Sequence, residues 1–278
     1  HQRGSIYVCE TEQELEVARE YADAQAADGY PMRMMDQQEV RDAEPHLAKD
    51  LIGGIWTECD SSVTPYKVAF AFVEEGRKLG LDAYTYSEVT AIRRDEKGSV
   101  QGVELSTGES LRCANVINCC GAWAPFVGDM VDIAIPIFPR KGQILVSEKT
   151  TPLVTEKIQE FGYMLSKFED IQYERKVSER VARHNVAFVI EPTPAENMII
   201  GSNRSFSGYD LSNSTEAMQA LAERALRFLP ALKDVNVIRA YAGVRPYSID
   251  HLPIVSGVDG IPGYYIAAGH EGDGIAMA

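Results

Sequence analysis

The chain has 278 residues, 45% of them hydrophobic and 24% charged, enough to bury one large core or two moderate ones. Lys and Arg number 27 against 41 Asp and Glu, a formal net charge of −14, and no stretch interleaves basic with aromatic residues, which argues against a nucleic-acid partner. No apolar run approaches the roughly 18 residues of a membrane span, and the N-terminal HQRGSIYVCE lacks the apolar centre of a signal peptide.

In chain order, a strand is expected over residues 5–9. A helix then starts at Thr11, whose hydroxyl and Glu14 three residues on form a capping box, with Leu15, Ala18 and Ala22 on its buried face. A second box, Asp36 with Glu39, opens a short helix that Pro45 ends. Residues 51–57 read as a strand. Thr64, with Pro65 at the first helical position, starts a helix on which Val68, Ala69, Phe72, Val73 and Leu79 form an apolar stripe up to Gly80. Residues 84–94, 100–105 and 110–113 follow as strands joined by turns at Glu96-Lys-Gly98 and Thr107-Gly108, and a wholly apolar strand, 116–119, comes next. A helix, a β-meander and a buried strand ending in glycine suggest the adenine side of a dinucleotide-binding domain. No G-x-G-x-x-G occurs, so the unit that would hold a pyrophosphate is expected to be missing from this chain.

From residue 133 the pattern turns β-rich, with strands expected over 135–138, 143–146, 186–190, 198–201 and 237–243. The charged stretch 155–185 reads as helical, either a solvated insertion or a partner-facing lid. Ser214 opens a helix whose stripe is Met218, Leu221, Ala222, Ala225, Leu226 and Leu229, before Pro230. The last sixteen residues, GYYIAAGHEGDGIAMA, read as a buried strand, a turn whose Gly269, Gly272 and Gly274 let backbone approach a ligand, and a helix start near Ile275. Five cysteines, at 9, 59, 113, 119 and 120, show no C-x-x-C spacing and fit the reduced thiols of a cytoplasmic protein. Histidines at 1, 46, 184, 251 and 270 are too scattered to suggest a metal site.

Three segments, in order, carry a resemblance: Val116-Ile-Asn-Cys-Cys-Gly-Ala-Trp-Ala124, Tyr241-Ala-Gly-Val-Arg-Pro-Tyr-Ser-Ile-Asp-His-Leu-Pro-Ile-Val-Ser-Gly257, and residues 263–278. Together they resemble the D-amino-acid oxidase-like flavoenzymes, among them glycine oxidase, the sarcosine oxidases, D-amino-acid and proline dehydrogenases and the catalytic subunit of hydrogen cyanide synthase. The likeness covers nearly the whole chain and corresponds to the family's middle and C-terminal parts, so the chain looks like a fragment that is inactive alone. It implies an α/β (α+β) fold. In it, a partial FAD-binding, Rossmann-like domain (63–132 and 246–278) is interleaved with a β-rich substrate domain of antiparallel and mixed sheet (1–62 and 133–245).

The resemblance also implies the cofactor contacts. Val89 would meet adenine through its backbone, although it reads equally as a core valine. Cys119, Cys120, Gly121, Ala122 and Trp123 would flank the phosphoribityl region. Gly269, His270, Glu271, Gly272, Asp273 and Gly274 would lie along the flavin's pyrimidine edge, where backbone N–H groups meet negative charge developing on the ring. His270 is a candidate base or a structural histidine. Glu271 and Asp273 either add charge near the ring or face solvent and the helix N-terminus.

Arg245 takes the place of the arginine that binds the substrate carboxylate, because a planar fork of donors pairs a carboxylate bidentately. The other reading pairs it with Asp250. Tyr241, four residues earlier, falls on the same face of an extended strand and is a second pocket candidate. Arg204 reads as pocket-lining, and Arg140 after Pro139 as the start of the substrate-domain strand; both also read as surface pairs.

The implied activity is oxidation of the C–N bond of a small amino or imino acid (glycine, sarcosine, proline or a D-amino acid) by hydride transfer to flavin. Oxygen or an electron-transfer partner subunit takes the electrons. Two further readings stay open: a non-catalytic carboxylate-binding or partner-docking domain, and an FAD-dependent dehydrogenase of a 2-hydroxy acid or glycerol phosphate, for which Arg204 is the candidate second cation.

Overall fold

The computed structural model describes residues 4–165 and 173–277. The chain opens with β1 (Ser5–Cys9), α1 (Glu12–Ala27), β2 (Met32–Asp36), α2 (Gln37–Ala43), β3 (Gly53–Thr57) and α3 (Pro65–Lys78). A meander of β4 (Val89–Arg94), β5 (Val100–Leu105) and β6 (Ser110–Arg112) follows, then β7 (Val116–Asn118) and α4 (Ala124–Asp129). Next come β8 (Ile137–Ser147), β9 (Lys157–Glu160), α5 (Phe161–Leu165), α6 (Glu179–Arg183), β10 (Val189–Pro192) and β11 (Met198–Gly201). The last elements are α7 (Thr215–Phe228), β12 (Val237–Ser248), β13 (Ile254–Gly257), β14 (Tyr264–Ala268) and α8 (Gly274–Met277). They form two compact units, one of His1–Val63, Lys141–Ser205 and Leu211–Gly243, the other of Thr64–Arg140, Phe206–Asp210 and Val244–Ala278.

The first unit is built on a mixed sheet in the order β12-β8-β11-β10-β9-β1-β3-β2, with β1 parallel to β9 and antiparallel to β3. Its core gathers alternate residues of the central strands, Ile6, Val8, Ile158 and Ile190, against Leu221 and Phe228 of α7. The Phe188 and Phe228 rings stack at 4.7 Å. Ser214 caps α7 by accepting from the Ala217 N–H at 3.3 Å, and the apolar stripe buries Leu221 and Ala225 as its spacing predicts.

Within that stripe, however, α7 also buries a charge. The Arg224 side chain is 5% exposed and pairs with both Glu160 and Glu10, while Arg175 also reaches Glu160. Glu14 belongs to the same region. Thr11 does cap α1, its Oγ1 accepting from the Glu14 N–H at 3.2 Å. The expected box does not close, because the Glu14 carboxylate turns inward to the Glu10 N–H at 2.6 Å and the Tyr173 hydroxyl. Burial raises that carboxyl above the usual range, and Glu10 and Glu160 add to the rise against the hydrogen bonds that lower it. Asp36 and Glu39 do form a complete box on α2.

Two other expectations are corrected. The stretch 155–185 holds β9, α5 and α6 rather than one helical insertion, and its residues 166–172 lie outside the described residues. The strands expected over 135–138 and 143–146 are one continuous strand, β8.

The second unit carries two three-stranded sheets, β4-β5-β6 and β13-β14-β7, over a core that includes Ile92, Val131, Tyr264 and Ile266. The strand expected from residue 84 begins only at Val89; Tyr86 before it is fully exposed at φ +56°. The apolar stripe of α3 is not buried: Phe72 is 75% and Leu79 90% exposed, and Thr64 forms no side-chain cap. Periodicity marked that helix correctly, but among the described residues no element covers its apolar face. Parallel and antiparallel pairing with helices makes the fold the mixed α/β class that the sequence implies.

Candidate functional site at the carboxyl ends of β7 and β14

In the second unit, β14 runs parallel to β7, with Tyr264 opposite Val116 and Ile266 opposite Asn118. Their carboxyl ends therefore lie side by side, and the loops that leave them, 119–123 and 269–273, emerge at one edge. In open α/β sheets this is where ligands bind. Buried Asn118 fixes the first loop: its Nδ2 donates to Ala124 O and to Tyr264 Oη, both at 2.9 Å, and its Oδ1 accepts from the Cys120 N–H at 3.2 Å. Cys119 and Cys120 are exposed free thiols, followed by Gly121 and the buried Ala122. The Trp123 ring lies 5.6 Å from that of Tyr209, whose hydroxyl donates to Ala122 O at 2.8 Å.

The second loop begins at Gly269 with φ +91°, a conformation that side chains disfavour. Glu271 is also left-handed, at φ +50°, and its N–H donates to Pro246 O at 3.3 Å. The Asp273 N–H donates to His270 O at 3.0 Å. Between them, the Gly272 N–H makes no hydrogen bond to a backbone carbonyl among the described residues. Arg245, on β12, runs past this glycine: a Cβ placed on Gly272 would sit 3.8 Å from Arg245 Cδ and Nε. Gly274 is the tighter of the two, since a Cβ there would come 3.2 Å from His270 Cβ, against the ordinary contact distance at Gly272.

Glu271 does not face solvent as one reading of the sequence had it. Its side chain is 14% exposed, pairs with Arg140, and meets His251 Nδ1 at 2.8 Å. Arg140 is correspondingly inside rather than a surface pair, 15% exposed, with its guanidinium 4.7 Å from the Tyr247 ring centre. Spacing gave no signal for the Arg140–Glu271–His251 group, whose members are 131 and 20 residues apart. Asp250, the alternative partner for Arg245, accepts from Ser248 Oγ at 2.8 Å and the Leu252 N–H at 3.0 Å, forming a local turn.

Three candidates remain, Val89, Tyr241 and Arg204. Val89 pairs with Leu105 in the meander, in a different sheet from β7 and β14. Tyr241 and Arg204 belong to the first unit. Tyr241 is 40% exposed, its hydroxyl pushed up by burial and then by the Glu191 carboxylate. The Arg204 guanidinium lies 4.1 Å from the Tyr163 ring centre.

A family model described as FAD dependent oxidoreductase (DAO) matches residues 1–278. The hydrogen cyanide synthase subunit HcnC of Pseudomonas protegens is 31% identical over 245 residues, covering 88% of this chain and 52% of that protein. The chain thus spans about half the length of that relative. Among solved structures, L-proline dehydrogenase from P. horikoshii superposes with a TM-score of 0.85 at 22% identity, over 100% of this chain and 69% of that one. Glycine oxidase from Bacillus cereus gives 0.82 at 25% identity, over 99% and 68%.

The family's cofactor is FAD, and the residues fit it. Two glycine-bearing loops leave the ends of parallel strands, where backbone can approach a planar ligand, and the Arg245 side chain beside Gly272 suits electron-rich oxygen and nitrogen. The chain belongs to the DAO family of FAD-dependent oxidoreductases.

Proposed function

We propose that the chain serves the oxidation of the C–N bond of a small amino or imino acid, with Arg245 holding the substrate carboxylate. The observation that carries this is the position of Arg245 alongside Gly272, at the edge where the loops after β7 and β14 emerge. A guanidinium offers a carboxylate two parallel donors, so it fixes the direction of the substrate's Cα as well as its charge. FAD, when bound, supplies the two-electron acceptor for the hydride that leaves Cα. The Gly269–Gly274 turn would lie along the flavin edge, with the Gly272 N–H stabilising the charge that reduction puts there. His270, one residue past the strand, is the candidate to hold the amine proton. Cys119 to Trp123 would flank the phosphoribityl chain, and Val89, Tyr241 and Arg204 keep the roles that the family likeness implies. A glycine oxidase and a proline dehydrogenase among the structural relatives support this substrate class. A relative named as a subunit supports an electron-accepting partner, and the five free cysteines support cytoplasmic residence.

Arg245→Lys in the flavin-loaded protein tests it. An ammonium cannot reproduce the fork, and the expected weakening for amino-acid substrates is about 2–5 kcal/mol, by analogy with truncated buried charge pairs. An amine lacking the carboxylate should be handled equally by both proteins. Unchanged affinity for every amino acid would return Arg245 to a structural role.

A further inference from the structure

We propose that Arg140 and His251 clamp Glu271 and so preset the glycine turn 269–274 for the cofactor, an inference that rests on the function proposed above. Glu271 holds a left-handed backbone, φ +50°, that residues other than glycine seldom adopt, so something must impose it. Three contacts do. Its N–H is held by Pro246 O, one carboxylate oxygen by Arg140, and the other by His251 Nδ1.

Arg140 is itself fixed, with its guanidinium over the Tyr247 ring. That ring meets Phe206 edge-on at 5.1 Å and His251 edge-on at 5.3 Å. Arg140 and His251 thus meet on one carboxylate that the sequence alone would leave on a surface turn, and Tyr247 backs both of them. With the side chains of the Arg140–Glu271 pair only 15% and 14% exposed, salt screens it far less than an open surface pair.

The next residue in the turn is Gly272, the one beside Arg245. Fixing Glu271 therefore fixes where the Gly272 N–H stands before any ligand arrives, and a turn already ordered loses less entropy on binding. Arg140, Glu271 and His251 are positioning residues in this scheme.

The test compares Arg140→Met, Glu271→Gln, the double variant and Arg140→Lys. Amide hydrogen exchange over residues 269–274 is read without flavin, and the FAD dissociation constant is measured separately. Each single variant should speed exchange in the turn and weaken FAD binding by about tenfold, the middle of the range for residues coupled through one contact. The double variant should lose no more than either single one, and Arg140→Lys should fall between Met and the parent. Should Arg140→Met fail to fold, Arg140→Lys against Glu271→Gln carries the comparison. Unchanged exchange, additive losses, or faster exchange with unaltered FAD affinity would each overturn the clamp. A flavin-loaded parent that no amino or imino acid reduces would defeat the proposed function instead, while the exchange rates still decide the clamp.

Discussion

Gly263 and Gly269 bracket β14, both left-handed, at φ +87° and +91°, and replacing each with alanine separates backbone strain from steric overlap. At Gly269 the new Cβ meets Ile137 Cδ1 at 3.5 Å and Pro253 Cα at 3.6 Å, ordinary contact distances. Only the backbone term remains, about 1–2 kcal/mol for an L-residue held left-handed. At Gly263 the Cβ would stand 2.2 Å from Ala114 O and 3.2 Å from Val100 Cβ. That carbonyl cannot retreat easily, because the neighbouring Val116 N–H is bonded to Gly263 O at 2.8 Å, where β7 joins β14. Overpacking adds about 1–3 kcal/mol, so Gly263→Ala should cost about 2–5 kcal/mol in all. The assay is urea unfolding in a Trp56→Phe background, where fluorescence of Trp123 reports on the second unit alone. A cost for Gly269→Ala equal to or above that for Gly263→Ala would refute the reasoning. So would two variants both within about 0.5 kcal/mol of the parent, the range of featureless surface changes.

In the first unit, Arg224→Met strips the shared cation from Glu160 and Glu10, both at least six-sevenths buried, with 1% and 14% exposure. Arg175 still reaches Glu160 and Arg227 still reaches Glu10, so the loss should fall at the low end of the range for breaking a buried pair, about 3 kcal/mol by denaturant titration. A loss below about 1 kcal/mol would mean the pair behaves as a surface one. Asp60 predicts a pH dependence. Burial alone would raise its carboxyl, but Lys157 at 3.0 Å and hydrogen bonds outweigh burial and hold it below the usual value. A folded value below the unfolded one stabilises above the unfolded range and is lost as pH falls through the folded one. Asp60→Asn should therefore be less stable than the parent at neutral pH, with the gap closing as acid protonates the carboxylate; a gap independent of pH would point to packing instead.

What the sequence made legible was whatever short-range chemistry decides. β1, β5 and β11 fall over the residues where short apolar runs led to strands being expected, and α2 and α7 start where Asp36 and Ser214 offer a cap. Family likeness singled out the glycine turn and Arg245 separately, and the structure brings Gly272 and Arg245 together. Three features escaped for one reason. Burial of Arg224 inside an apolar stripe, the inward turn of Glu14, and the Arg140–Glu271–His251 group are each decided by a partner far off in sequence. A lone charged residue in a sequence window carries no mark of that partner, so the default reading is solvent. The exposed stripe of α3 errs the other way: periodicity reports that a face is apolar but says nothing about what lies against it.

The decisive measurement is anaerobic mixing of the flavin-loaded protein with glycine, sarcosine, proline and D-amino acids, following the visible absorbance of oxidised flavin. At least one of these should bleach it, with the rate depressed in Arg245→Lys, while 2-hydroxy acids and glycerol phosphate leave the spectrum unchanged. Admitting air then separates a self-sufficient oxidase, which recovers its colour and forms peroxide in proportion to substrate, from an enzyme that needs a partner to take its electrons. Bleaching by a hydroxy acid or glycerol phosphate alone, with every amino and imino acid inert, would contradict the assignment of Arg245 and of the C–N bond as the site of attack.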